Sequence, residues 1–105
     1  MSFSFHPAAR AEYLEAITYY ERQSPGLGDD FAAAFEAALS FVRAHPQAAP
    51  LVHPSGVRRK SFPAPFLYSL LYAPEPSGLL IVAVAHHRKR PEYWRSRTGA
   101  AGPRG

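Results

Sequence analysis

The sequence has no cysteine, one methionine and one tryptophan among its 105 residues. Without cysteine, a disulfide framework, a thiolate metal site and a cysteine nucleophile are all excluded. Small secreted domains usually need disulfides for stability, so we expect a cytoplasmic location. The longest apolar run, residues 79–85, is much too short to span a bilayer, and residues 1–10 lack the pattern of a signal peptide. We therefore expect no membrane association.

Several motifs of cofactor and metal chemistry are also missing. There is no glycine-rich phosphate loop, no dinucleotide fingerprint and no carboxylate pair suited to glycosidic chemistry. Asp29 and Asp30 lie at the start of a predicted helix, where the helix dipole favours carboxylates. The histidines show no metal-ligand spacing, and His86 and His87 would point to opposite faces of a strand. We expect neither a metal nor a cofactor.

Acidic residues are scarce in the second half of the chain. Residues 1–50 carry three arginines against six carboxylates, a net charge of −3. Residues 51–105 carry nine cations against two carboxylates, a net charge of +7. This density of positive charge predicts an acidic partner, either nucleic acid or an acidic protein surface. The alternative is that the charge only keeps a small protein soluble.

Two amphipathic helices are predicted in the first half. Apolar residues recur at helical spacing over residues 8–22, with Glu12 on the opposite, polar side. A second stripe predicts a helix over residues 29–44, which ends before Pro46. Residues 24–28 between them are typical of a turn, so the helices should form an antiparallel hairpin.

Strands are predicted before and after the hairpin, at residues 2–6, 57–62, 67–73 and 79–85. The last is apolar throughout, which is typical of a central strand buried on both faces. Two prolines after residues 57–62 favour a bulge or an edge position there. The predicted fold class is α+β: a compact β-α-α-β-β-β domain with the helical hairpin packed on one face of a mainly antiparallel sheet. The other face is expected to be partly open.

The densest group of functional side chains follows the central strand. Residues 86–97 contain two histidines, two aromatic residues and five cations. Arginine binds carboxylate or phosphate through paired hydrogen bonds, and aromatic rings stack on or anchor a partner. For Trp94, packing against the core is the more common alternative. The residues predicted here to bind a macromolecular partner are His87, Arg88, Lys89, Arg90, Trp94, Arg95 and Arg97.

A second basic set consists of Arg58, Arg59 and Lys60. Strand alternation places Arg58 and Lys60 on one face of the sheet and Arg59 on the other. Together with Arg88 across the sheet, this set is predicted to line a positive groove and to join the binding surface. The alternative is protection of an edge strand by charge.

The chain combines an early strand, two helices, a basic strand and the segment Phe-Leu-Tyr-Ser-Leu-Leu-Tyr at residues 66–72. These features are followed by the run His-x-Arg-x-x-Pro-x-x-Trp-x-x-Arg at residues 86–97. In this order the features resemble the RelE/ParE superfamily of type II toxins from bacterial toxin–antitoxin systems. The resemblance extends from Phe3 to Arg97, and the final run is similar to the ParE branch.

The resemblance implies a single toxin domain over residues 1–97 and a flexible tail at residues 98–105. It implies a cognate antitoxin whose C-terminal segment covers the basic surface as a strand or a helix. Operator DNA would then be contacted only indirectly, through the antitoxin.

Three roles fit the resemblance. ParE-like members inhibit DNA gyrase by binding, and this growth-inhibiting, non-enzymatic role is the first prediction. RelE-like members are endoribonucleases that cut mRNA on the ribosome. That alternative makes His86, Arg88 and Tyr93 catalytic candidates, with Arg58 and Lys60 orienting the RNA. The third role is a non-toxic basic adaptor in an antitoxin–operator complex.

Overall fold

A computed structural model describes residues 2–99 of the chain. It confirms the predicted β-α-α-β-β-β order and adds one short C-terminal helix. The predicted tail begins inside that helix, where Thr98 is buried, and residues 100–105 lie outside the described part of the chain. The elements are β1 (Phe3–Phe5), α1 (Pro7–Gln23), α2 (Leu27–Ala44), β2 (Arg58–Ser61), β3 (Tyr68–Glu75), β4 (Gly78–His86) and α3 (Arg95–Gly99).

The turn between α1 and α2 is built around Gly26 and Glu21. Gly26 has a φ of 89°, a left-handed conformation that glycine adopts without steric penalty. The Glu21 carboxylate accepts hydrogen bonds from the N–H groups of Gly26 and Gly28, each at 3.0 Å. These bonds satisfy donors that a helix N-terminus leaves unpaired. The second helix therefore begins at Leu27, two residues before its predicted start.

The four strands lie in the order β1-β4-β3-β2. β1 pairs with β4 in parallel, whereas the β2–β3 and β3–β4 pairs are antiparallel, so the sheet is mainly antiparallel as predicted. β4 has a neighbour on each side, which accounts for its continuous apolar sequence. β2 lies at one edge of the sheet, a position that the prolines after it favour.

One extra residue in β4 interrupts its pairing with β3. Leu71 lies opposite Ala83 and Tyr72 lies opposite Ile81, so Val82 has no counterpart. Val82 and Ala83 consequently both pack on the side of the sheet away from the helices. From this bulge to the end of β4, each side chain therefore points to the face opposite to the one that uninterrupted alternation from Gly78 would give.

Both faces of the sheet carry a core. On the helix face the core is rich in aromatic rings, and the centroid of Phe31 lies 5.3 Å from those of Phe62 and Phe66 and 4.9 Å from that of Tyr68. The opposite face, which we call the outer face, was expected to be partly open. It carries a smaller core formed by Val57, Leu71, Ala73, Val82, Ala83, Ala85 and Trp94.

Candidate functional site

The cations that follow β4 lie on a tight turn, residues 87–91, which we call the basic turn. The N–H of His87 donates to the carbonyl of Leu67 at 2.8 Å, and the N–H of Lys89 donates to the carbonyl of His86 at 3.0 Å. These bonds fix the backbone, while the cationic side chains of the turn are exposed. Three consecutive cations on a fixed turn create a strong local positive potential.

A cleft of about 260 Å³ opens on the outer face beside the basic turn, and we call it the outer cleft. Its floor includes the buried side chains of Leu71 and Trp94. Its rim carries Arg59 from β2 and Lys89 and Arg90 from the basic turn. An apolar floor with a cationic rim suits a partner that offers an apolar group flanked by anions.

The two adjacent histidines point to opposite faces of the sheet. The Nε2 atom of His87 lies 3.0 Å from the hydroxyl of buried Ser69 in the wall of the outer cleft. The ring of His86 also borders the cleft but lies edge-on to Tyr68, with 5.1 Å between centroids, and its Nδ1 accepts the N–H of Arg88. Burial first, and then the charges of Arg88 and His87, lower the pKa of His86. This shift favours the neutral form of the His86 imidazole.

The hydroxyl of Tyr93 is engaged by α1. It donates a hydrogen bond of 2.7 Å to a carboxylate oxygen of Glu12. Burial, followed by the hydrogen bond and the charge of Glu12, raises the pKa of Tyr93, so the phenol keeps its proton. Arg88, the third catalytic candidate, is exposed and is not among the residues that line the outer cleft. His86 and Tyr93 both line the outer cleft, but the Nδ1 of His86 and the hydroxyl of Tyr93 are each held in a hydrogen bond.

Glu12 is a residue that sequence analysis missed. Its carboxylate accepts two hydrogen bonds of 3.0 Å from the Arg97 guanidinium, as well as the bond from Tyr93. Only 18% of the Glu12 side chain and 15% of the Arg97 side chain are exposed. The helical periodicity of α1 assigned Glu12 to the solvent side, and Arg97 lies 85 residues away, so no local pattern links the two.

The structure does not bring the second basic set together in one groove. Arg58 donates to the carbonyl oxygens of Gln47 and Ala49 at 3.0 and 2.8 Å, and the ammonium of Lys60 lies 4.1 Å from the ring centroid of Phe41. Both side chains are held there because strand alternation turns them away from the outer face. Of this set, only Arg59 lines the outer cleft.

The remaining predicted binding residues divide into buried and exposed groups. Trp94 is 5% exposed and packs in the outer core, as single tryptophans commonly do. Arg97 is held by Glu12, whereas Arg95 is exposed and lies 3.4 Å from the carboxylate of Glu92. The predicted binding residues with exposed side chains are Arg59, His87, Arg88, Lys89, Arg90 and Arg95.

Two further properties bear on the prediction of no metal and no membrane association. Within residues 2–99, no three histidine or acidic side chains are grouped so that they could hold a metal ion. The helices in the same part of the chain are too short or too polar to cross a bilayer.

A family model described as the ParE toxin of type II toxin–antitoxin system, parDE, matches residues 3–91. The chain belongs to the ParE toxin family. This membership confirms the resemblance drawn from the sequence and makes the protein the toxin component of a type II system, with an antitoxin as its partner. The match runs from β1 through the basic turn and ends before Tyr93 and Arg97. A comparison with curated proteins finds no match.

Proposed function

We propose that this ParE-family toxin acts in the cytoplasm by binding DNA gyrase through the outer cleft and the basic turn. The cognate antitoxin neutralises it by covering the same surface. The observation that carries the proposal is the contrast between two sets of side chains. The cations of the basic turn are exposed beside an apolar cleft, whereas the Nδ1 of His86 and the hydroxyl of Tyr93 are taken up by hydrogen bonds within the protein.

The hydrogen bonds of His86 and Tyr93 weigh against catalysis as the main activity. RNA cleavage by acid–base chemistry needs a proton acceptor, a proton donor and a phosphate-binding group around one reacting bond. The Nδ1 of His86 is occupied by a backbone N–H, and the hydroxyl of Tyr93 is bonded to Glu12. Inhibition by binding alone does not require the His86 ring nitrogen or the Tyr93 hydroxyl to be free of hydrogen bonds.

The shape and the charge of the surface support a protein partner. Arginine and lysine at the rim of a protein interface steer an acidic partner and form hydrogen-bonded ion pairs with its carboxylates. The apolar floor of the outer cleft can accept one large side chain, the arrangement in which binding energy concentrates at protein interfaces.

The direct test is a supercoiling assay with purified gyrase and purified toxin. Wild-type protein should inhibit supercoiling, and the double variant Lys89→Ala/Arg90→Ala should need about tenfold more protein, equivalent to ~1.4 kcal/mol of binding. The matched control is Arg10→Ala/Arg22→Ala, which removes the same charge from exposed positions on α1. Failure of wild-type protein to inhibit gyrase, or equal losses in both double variants, would contradict the proposal.

One observation favours ribonuclease activity as a second candidate. His87 lies in the wall of the outer cleft, which is also lined by Arg59 and Arg90, so a titratable ring and phosphate-binding cations share one site. If the protein cleaves mRNA on the ribosome and His87→Ala abolishes the cleavage, this activity would be supported. If the protein neither inhibits gyrase nor cleaves mRNA but still binds the antitoxin, the adaptor role would be supported.

A further inference from the structure

The edge of β4 is open beyond the end of β1. β1 pairs with β4 only as far as Phe5 and Ile81, after which the N–H of His6 donates to the carbonyl of Ile81 at 2.9 Å. The chain then enters α1 at Pro7. Within residues 2–99, the backbone groups of β4 that follow have no neighbouring strand on this side, although buried backbone groups need hydrogen-bond partners.

Two side chains take the place of that strand. The N–H of Val84 donates to the Glu12 carboxylate at 3.0 Å, and the carbonyl of Val82 accepts from the Arg97 guanidinium at 3.0 Å. Glu12 and Arg97 are bonded to each other at 3.0 Å, so the pair spans the open edge as a unit. Charge-assisted hydrogen bonds of this kind are stronger than neutral ones.

Glu12 also connects this edge to the residues after the basic turn. We call residues 93–98 the C-terminal strap. The strap is attached to Glu12 through Tyr93 and Arg97, and the Arg97 guanidinium lies 5.1 Å from the centroid of the Tyr93 ring. Trp94, between these two residues, packs in the outer core. One carboxylate on α1 thus holds both ends of the segment that covers the outer face.

The basic turn is joined directly to this strap. At one end the turn continues from β4, and at the other Glu92 leads into Tyr93 with a φ of 60°, a left-handed conformation uncommon for a residue with a side chain. Tyr93 and Trp94 line the outer cleft together with Lys89 and Arg90. The position of the cations relative to the cleft therefore depends on docking of the strap.

We propose that Glu12 is a positioning residue: through Tyr93 and Arg97 it docks the C-terminal strap on β4, and the docked strap fixes the basic turn beside the outer cleft. Docking of the strap is a local transition, separate from unfolding of the domain. Its effect on toxicity rests on the proposed function, because there the basic turn is the surface that contacts the target.

The single tryptophan makes docking directly measurable. Trp94 lies in the strap and is 5% exposed, so its fluorescence reports the packing of the strap on the sheet, while far-ultraviolet circular dichroism reports the helices and the sheet. In Glu12→Gln the carboxylate charge is lost but side-chain length and helix propensity are kept. We expect Trp94 to become accessible to acrylamide at urea concentrations where the circular dichroism is still native.

Matched variants separate docking from general loss of stability. Glu15→Gln removes a carboxylate from an exposed position on the same helix and should behave as wild type. Tyr93→Phe removes one hydrogen bond and leaves the Glu12–Arg97 pair, so it should expose Trp94 less than Glu12→Gln does. It also serves as the test variant if Glu12→Gln does not fold. Coincident fluorescence and circular-dichroism transitions in both Glu12→Gln and Tyr93→Phe would overturn the proposal.

The gyrase assay completes the test. Glu12→Gln retains every cation of the surface, so loss of inhibition together with Trp94 exposure would show positioning of the basic turn. Unchanged inhibition by protein whose strap is undocked would overturn that part of the inference. If wild-type protein does not inhibit gyrase, the proposed function fails, but the fluorescence result on docking is unaffected.

Discussion

The helix face and the outer face of the sheet are covered by different kinds of structure. On the helix face, two long amphipathic helices contribute a continuous stripe of large side chains to a core of aromatic rings. On the outer face, a short segment is held by Glu12, by the packing of Trp94 and by contacts with His53 and Ser55, and it covers a smaller set of aliphatic residues. The cover of the helix face is extensive and is expected to remain packed in the native state. The cover of the outer face is limited in area and lies next to the exposed cations, so we expect the helix face to carry most of the stability and we propose the outer face as the recognition surface.

The largest effect should come from the helix face. Phe31 is 0% exposed and is surrounded by other rings, so Phe31→Ala should lower the free energy of unfolding by about 3–5 kcal/mol. Urea denaturation followed by circular dichroism measures this change. A loss below about 1 kcal/mol would mean that the aromatic core does not carry the stability assigned to it here.

Trp94→Ala tests the outer face in the same way. Its side chain is buried but borders the outer cleft, so water can fill the space left by the indole, and we expect a loss of about 2–3 kcal/mol. The circular-dichroism transition of this variant should be compared with that of Phe31→Ala. A loss equal to or larger than that of Phe31→Ala would remove the distinction between the two faces.

Alkaline pH should destabilise the domain through the buried phenols on both faces of the sheet. Burial raises the pKa of Tyr13, Tyr20, Tyr68 and Tyr72. Above a pH of about 10 the unfolded chain loses phenolic protons that the folded chain keeps, so stability falls as the pH rises. The measurement is urea unfolding at a series of pH values across this range. The pKa of Tyr93 is raised most, so Tyr93→Phe should remove the largest single contribution to this pH dependence. A slope of zero in wild-type protein would contradict the burial of these phenols.

The smallest effect on stability should come from the rim of the outer cleft. Lys89 and Arg90 are exposed, so Lys89→Ala/Arg90→Ala should change the free energy of unfolding by less than about 0.5 kcal/mol. Thermal unfolding of the two proteins side by side checks this expectation. A large loss of stability would show that these cations support the fold. Weaker gyrase inhibition by the double variant could then not be assigned to lost contacts with gyrase.

The helices, the strands and their order could be predicted because each depends on neighbouring residues. The spacing of apolar side chains identified α1 and α2, and the continuous apolar run identified β4 as central. The early start of α2 was missed because Glu21 caps it from the preceding helix, a contact that periodicity does not contain. The five-residue helix α3 is too short to produce a periodic signal.

The candidate site could be predicted only in part. Charge density alone located the basic turn, since exposed cations need no partner within the fold. The role of Glu12 could not be predicted, because its bonds join residues 81 and 85 positions apart and satisfy backbone groups left unpaired by the end of β1. Arg58 and Lys60 were correctly placed on one face, but their partners on that face depend on how the loop before β2 folds.

The bulge at Val82 has a consequence for the histidine pair. An insertion or deletion of one residue in β4 would reverse which member of the pair faces the outer cleft, since strand side chains alternate with a period of two. In most sequences such a change would replace the residue at the cleft wall with one of a different chemical type. Because His86 and His87 are identical, an imidazole would face the cleft in either case. The doublet makes this position tolerant of a length change that would otherwise alter the chemistry of the surface.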